Sequence, residues 1–177
     1  MQMVRFLAAL ALSLTAFTAR ADVNITEVTS PGGINAWLVE AREIPFTALE
    51  IRIRGGANLD DPAKRGVTNL MMGLLEEGSG DMDARTFQAE RESLAATYGF
   101  DIYDDSVSIS ARFLTENRDA AVALLRQALT EPRFDDDAIE RVRAQVLAGI
   151  DSDALDPKTI AGDAFYAAAF PDHPYGT

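Results

Sequence analysis

The alternation of Leu49, Ile51 and Ile53 with Glu50, Arg52 and Arg54, closed by Gly55-Gly56 and followed at once by a helical stripe, constrains the fold more than any other stretch. Apolar side chains at every second residue put one face of a strand into a core and leave the other in water. Beyond the glycines, Pro62 to Arg65 leads into a helix whose apolar stripe reads Val67, Leu70, Met71, Leu74 and Leu75, the spacing of a 3.6-residue period. The same two periods recur downstream. Gly78-Ser-Gly-Asp breaks the helix, and Asp83 is the predicted N-cap for a second one carrying Phe87, Leu94 and Tyr98. Val107, Ile109, Ala111 and Phe113 then alternate with Ser106, Ser108, Ser110 and Arg112 in the clearest strand of the chain.

Three more helices are predicted. One runs from about 116 to 130 and is buried through Ala121, Leu124, Leu125 and Leu129; the next, from about 136 to 151, through Ile139, Val142, Val146 and Ile150. The last spans about 157 to 170 and stops before Pro171. Upstream, residues 24–29 and 33–39 read as a hairpin around Ser30-Pro-Gly-Gly. The order β-β-β-α-α-β-β-α-α-α predicts an α+β fold: a largely antiparallel sheet with helices packed on one face.

The first 21 residues read differently. Arg5, a largely apolar run from Phe6 to Phe17, and Ala19-Arg-Ala21 before Asp22 make a secretory signal peptide, with a run too short to span a membrane. The expected location is the periplasm, and no cysteine exists to carry a lipid anchor or a disulfide. Cleavage removes Arg5 and Arg20 and no acid, so 14 of the 16 basic residues remain against 28 acidic ones, a net charge of −14. Nucleic acid and anionic membrane surfaces are therefore poor partners.

Other chemical motifs fall short of their requirements. Asp135-Asp-Asp137 and the Asp151, Asp153, Asp156 group lack the glycine and terminal glutamate of a calcium loop. The first group opens a helix, where capping and the helix dipole account for it. Glu76 and Glu77 are adjacent on a helix and diverge, so they do not form a converging catalytic pair. No Gly-x-Ser-x-Gly occurs, and the chain has one histidine, His173, in a Pro-Asp-His-Pro-Tyr-Gly loop.

The block from Gly55 to Gly78, Gly-Gly-Ala-Asn-Leu-Asp-Asp-Pro-Ala-Lys-Arg-Gly-Val-Thr-Asn-Leu-Met-Met-Gly-Leu-Leu-Glu-Glu-Gly, resembles the insulinase/pitrilysin family of zinc peptidases. In that family a strand end leads through a polar turn into a helix bearing His-x-x-Glu-His. The motif needs two imidazoles one turn apart and a glutamate between them as general base. On the resemblance, Asn69 and Gly73 hold the histidine places and Met72 that of the base; the third ligand, a glutamate on a later helix, falls on Gly149. Glycine has no side chain, a thioether is a soft ligand, and neutral asparagine binds zinc weakly. Shifting the register finds no histidine.

The resemblance extends over about residues 23–177 and includes Leu114-Thr-Glu-Asn-Arg-Asp, the following Ala-Leu-Leu-Arg-Gln-Ala-Leu-Thr-Glu-Pro-Arg-Phe, and Phe170-Pro-Asp-His-Pro-Tyr-Gly. It implies an N-terminal lobe, residues 22–177, incomplete at its C-terminal end. It also implies a non-catalytic subunit with no cofactor, which pairs with a zinc-binding catalytic subunit as a heterodimer around a chamber for unfolded peptides. The implied peptide-binding edge strand is Phe100, Asp101, Ile102 and Tyr103, although Phe100-Asp101 replaces the family's usual Asn-Ala. The alternatives are a scaffold or binding protein without a proteolytic partner, and a truncated, decayed gene product.

Overall fold

A computed structural model describes residues 23–176; the signal peptide reading lies outside them. The chain divides into two units, one reaching Ile44 and the other beginning at Pro45. The first contains an antiparallel hairpin of β1 (Ile25–Thr29) and β2 (Asn35–Val39), with Ile25 opposite Val39 and Thr29 opposite Asn35. Its turn is closed by Gly33 N–H donating to Ser30 O at 2.9 Å and Ile34 N–H to Ser30 Oγ at 3.0 Å. Gly33 sits at φ +84°, a left-handed position that costs glycine nothing. All residues of both strands are exposed, Trp37 by 80%.

The second unit is built on a three-stranded antiparallel sheet of order β3-β7-β6: β3 (Phe46–Arg54), β6 (Thr97–Ile102) and β7 (Ser106–Leu114). Leu49, Ala111 and Tyr98 form one cross-strand row, and Ile51, Ile109 and Phe100 the next. The alternation read from the sequence thus places these rows on one face. The opposite face carries Glu50, Arg52, Ser108 and Ser110, and there the Ser108 hydroxyl donates to the Glu50 carboxylate at 2.5 Å. That bond, ahead of Arg52, holds Glu50 below the usual carboxylate range.

Between β3 and β6 run single 3-10 turns at Ala57–Leu59 and Pro62–Lys64, then α1 (Val67–Leu74), a two-residue hairpin of β4 (Gly78–Ser79) and β5 (Met82–Asp83), and α2 (Ala84–Ser93). After β7 come a 3-10 turn at Thr115–Asn117, α3 (Arg118–Thr130), α4 (Asp136–Asp153) and α5 (Pro157–Ala169). The main core joins Met72 and Leu75, Phe87, the buried face of β6 and β7, and Ala121, Leu124, Leu125 and Ala128 of α3. A smaller cluster of Leu74, Ala138 and Val142 joins α1 to α4. Asp83 caps α2 as expected, accepting from Thr86 N–H at 2.8 Å.

The structure corrects four local expectations. Ile150, expected in the buried stripe of the helix at 136–151, is 57% exposed near the end of α4. In α1, which Gly66 at φ +88° separates from the preceding 3-10 turn, the buried residues are Met72 and Leu74, with Leu75 just past its end, whereas Val67 and Met71 are exposed. Tyr98 is not on α2: Ala95 at φ +49° ends the helix, and Tyr98 enters the core from β6. Asp135 begins α4 without a capping bond, since its carboxylate accepts instead from Arg133 Nε at 2.7 Å; Asp136 and Asp137 remain in the first turn, where the helix dipole favours them.

Tyr98 provides a check on the core. Its hydroxyl donates to the Ala121 carbonyl at 2.6 Å, and burial pushes the phenol up to about 12. Tyr98→Phe should lower the unfolding free energy by about 1 kcal/mol, the net worth of one such bond. The pH dependence has a definite sign. The unfolded phenol ionises near 10 and the folded one near 12, so this stabilisation is full below pH 10 and falls away between 10 and 12. Urea unfolding at pH 8 and pH 11 should show the wild type losing more than the variant.

Candidate functional site

The sequence directs attention to α1 and β6, and the fold sets these two elements side by side. Asp60 anchors the start of α1: its carboxylate accepts from the Gly66 N–H at 2.9 Å and from the Thr68 hydroxyl and N–H. The Thr68 hydroxyl is the main reason the Asp60 carboxyl lies below its ordinary range. A carboxylate at a helix N-terminus also complements the helix dipole. Sequence reading missed this residue, because its partners lie six and eight residues away in a loop that follows no periodic rule.

The positions matched to the zinc motif divide between surface and core. Asn69 and Gly73 are exposed, whereas Met72 is 3% exposed and belongs to the main core. A Cβ added at Gly73 would stand 3.0 Å from Val142 Cγ1, so α1 and α4 approach closely there. A Cβ at Gly149 would meet nothing within 4 Å and would face open space. The fit to zinc fails on donor chemistry as well, since two glycines, a methionine and an asparagine present no imidazole and no carboxylate. Among the described residues, no group of three or more His, Cys, Asp or Glu side chains is placed to hold a metal ion.

The neighbouring acids are engaged elsewhere. Glu76 accepts from Arg91 of α2 at 2.5 Å, and Glu77 from Arg141 of α4 at 2.9 Å. The two acids are not on a helix as expected: α1 ends at Leu74, and from the turn after it they point to different helices. His173 packs edge-on against Tyr175 at 4.5 Å between ring centres, and its Nδ1 accepts the Tyr175 N–H at 3.2 Å. Both contacts belong to a loop turn.

Among the described residues β6 pairs only with β7, and its other edge has no strand partner there. Phe100, Asp101 and Ile102 lie in β6, and Tyr103 follows as the first turn residue, its N–H donating to Ser106 O at 2.8 Å. Antiparallel hydrogen bonding alternates, so with Tyr103 facing β7 the amides of Phe100 and Ile102 face the open edge. Their side chains pack against the main core, whereas Asp101 and Tyr103 are exposed. Arg52 stands over the Tyr103 ring at 5.7 Å from its centre.

An α+β lobe in which a short helix is set beside an open sheet edge has the build of a zinc-peptidase lobe, here without a donor set for zinc among the described residues. Residues 37–177 match the insulinase family, peptidase family M16, and the chain belongs to it. A similar curated protein is the "Non-peptidase homolog YmxG" of Helicobacter pylori (strain ATCC 700392 / 26695), 30% identical over 107 residues, which are 60% of this chain and 25% of that one. Among solved structures, the peptidase M16 inactive domain from Pseudomonas fluorescens superposes with a TM-score of 0.78 at 27% identity, covering 87% of this chain and 38% of that one. A protease from Helicobacter pylori shares the fold at a TM-score of 0.73 and 16% identity, covering 88% and 38%. The chain therefore spans about a quarter of the curated relative and well under half of either solved chain.

Proposed function

We propose that this chain is a catalytically inactive member of the insulinase family, exported to the periplasm. There it pairs with a zinc-bearing subunit and contributes chamber wall and peptide-binding surface to a heterodimeric peptidase. The observation that carries the reading is the state of α1. Met72 stands where the general base would be and fills the core, and Gly73 stands where a ligand would be and closes against Val142. A helix that turns a thioether into the core and carries neither imidazole nor carboxylate at those positions has no groups for hydrolytic zinc chemistry. The similarity to proteins described as a non-peptidase homolog and an inactive domain supports the same conclusion.

Peptide binding would use the open edge of β6 at Phe100, Asp101, Ile102 and Tyr103. An extended peptide added there gains main-chain hydrogen bonds regardless of its sequence, which suits unfolded substrates. The test is recovery of the tagged protein from the periplasm, with mass spectrometry of whatever accompanies it in equal amount. The expected companion carries an intact His-x-x-Glu-His. A chain recovered alone, with no such companion, would overturn the heterodimer and favour a free-standing binding protein.

A further inference from the structure

The β6–β7 turn is held by the backbone of residues 55–58, a segment far from it in sequence. Gly55 N–H donates to Asp105 O at 2.8 Å, Ala57 N–H to Tyr103 O at 3.0 Å, and Asn58 N–H to Asp104 O at 3.0 Å. Side chains add a second layer centred on one carboxylate. Asn58 Nδ2 donates to Asp105 Oδ1 at 3.1 Å, and the Tyr175 hydroxyl donates to Asp105 Oδ2. Tyr175 comes from the Pro174–Gly176 turn, where the rings of Phe170 and His173 pack against it at 5.8 and 4.5 Å between centres.

An edge strand has ladder bonds on one side only, so the other side does nothing to fix where its end lies. At β6 that task falls to the turn, which is tied down by the backbone of residues 55–58 and, through side chains, at Asp105. We propose that Asp105 is a positioning residue for the peptide-binding edge: joined to Tyr175 and Asn58, it sets the end of β6 so that its outward amides meet an incoming strand in register. The proposal rests on the reading of β6 as that edge. It also gives the Pro-Asp-His-Pro-Tyr-Gly loop a role, since that loop delivers the tyrosine. An ionised carboxylate accepts from a phenol and an amide more strongly than a neutral acceptor would. The Tyr175 bond, then that of Asn58, holds Asp105 below the usual range.

The experiment uses the full chain with fluorescein-labelled β-casein as an unfolded probe, read by anisotropy together with amide hydrogen exchange. In the wild type, casein should slow exchange at Phe100 and Ile102. Asp105→Asn and Tyr175→Phe should each weaken casein binding about tenfold, the scale of one bond to a charged group. Each should also speed exchange at the β6 amides, leaving Ile109 and Phe113 of β7 as protected as before. The double variant should be no worse than the poorer single one, because both remove the same contact. If casein fails to bind the wild type or leaves β6 exchange unchanged, the edge reading falls and the proposal with it. If casein protects β6 in the wild type, but both variants bind and exchange as the wild type does, the positioning role alone is overturned. Tyr175→Phe removes only a surface hydroxyl, so the test survives a failure of Asp105→Asn to fold.

Discussion

Writing the zinc motif back into α1 as Asn69→His, Met72→Glu and Gly73→His should give a protein that melts far below its parent and takes up no stoichiometric zinc. Most of the loss comes from position 72. Met72 lies in the main core among Leu75, Phe87 and the buried face of β6 and β7, where the Tyr98 hydroxyl already gives its hydrogen to the Ala121 carbonyl and the other side chains are apolar. Burying an unpaired acid costs several kcal/mol or forces it to remain protonated, so about 3 kcal/mol or more is expected from Met72→Glu alone. Asn69 is exposed, and Asn69→His should be close to neutral. At residue 73 any Cβ meets Val142 Cγ1 at 3.0 Å, so the histidine adds crowding where α1 and α4 touch. No carboxylate stands at Gly149 to complete the site.

The pH dependence separates the causes. A buried glutamate has its folded pKa raised above its unfolded value. The deficit of the Met72→Glu variant is therefore smallest below the unfolded pKa and grows as pH rises toward the folded one. Crowding at residue 73 has no such slope. Urea unfolding at pH 4 and pH 8, with metal analysis of the dialysed protein, measures both terms. A variant that melts like its parent and retains one zinc per chain would show that α1 is still a metal helix.

How much of this was legible in the sequence depended on the range of the interactions. β7 was readable because period-two alternation survives from Ser106 to Phe113, long enough to fix which face is buried; in β3 the shorter alternation of residues 49–54 fixed the face, although Ile51 and Ile53, expected in the core, are 36% and 50% exposed at the sheet's edge strand. The core of α3 was readable too, since Ala121, Leu124 and Leu125 recur on one face between polar residues. α1 was harder. Its eight residues are apolar on nearly every side, so the choice of Met72 over Met71 as the core residue was made by packing against β6 and α4. Tyr98 was misplaced because its spacing from Leu94 fits a helix, while the left-handed backbone at Ala95 cannot be read from an alanine. The bond between Tyr175 and Asp105 spans 70 residues and depends wholly on topology. The zinc positions differ again: the resemblance named them, and the structure supplied what each residue does there instead.

Gly56→Ala should be the most damaging change of a single methyl group in the chain, and the reason is distance rather than dihedral angle. Gly56 has φ −140° and ψ −141°, outside the left-handed region. A Cβ there would lie 1.9 Å from Tyr103 O, 2.7 Å from Ser106 N and 2.9 Å from Asp104 O, all backbone atoms that cannot swing aside. Relief requires moving residues 55–58 off the β6–β7 turn, which breaks the bonds from Ala57 and Asn58 to Tyr103 and Asp104. Overpacking of this kind costs about 3 kcal/mol, well beyond the fraction of a kcal/mol that alanine gains over glycine in the unfolded chain. Gly149→Ala supplies the control. Nothing lies within 4 Å of its added Cβ in the middle of α4, so helix propensity should stabilise it by about 0.5 to 1 kcal/mol. Opposite shifts in the urea midpoint, with casein binding lost only in Gly56→Ala, would show that the close approach at Gly56 is what holds the end of β6 in place. Equal midpoints for the two variants would mean that the turn moves freely and that β6 is positioned by its ladder with β7 alone.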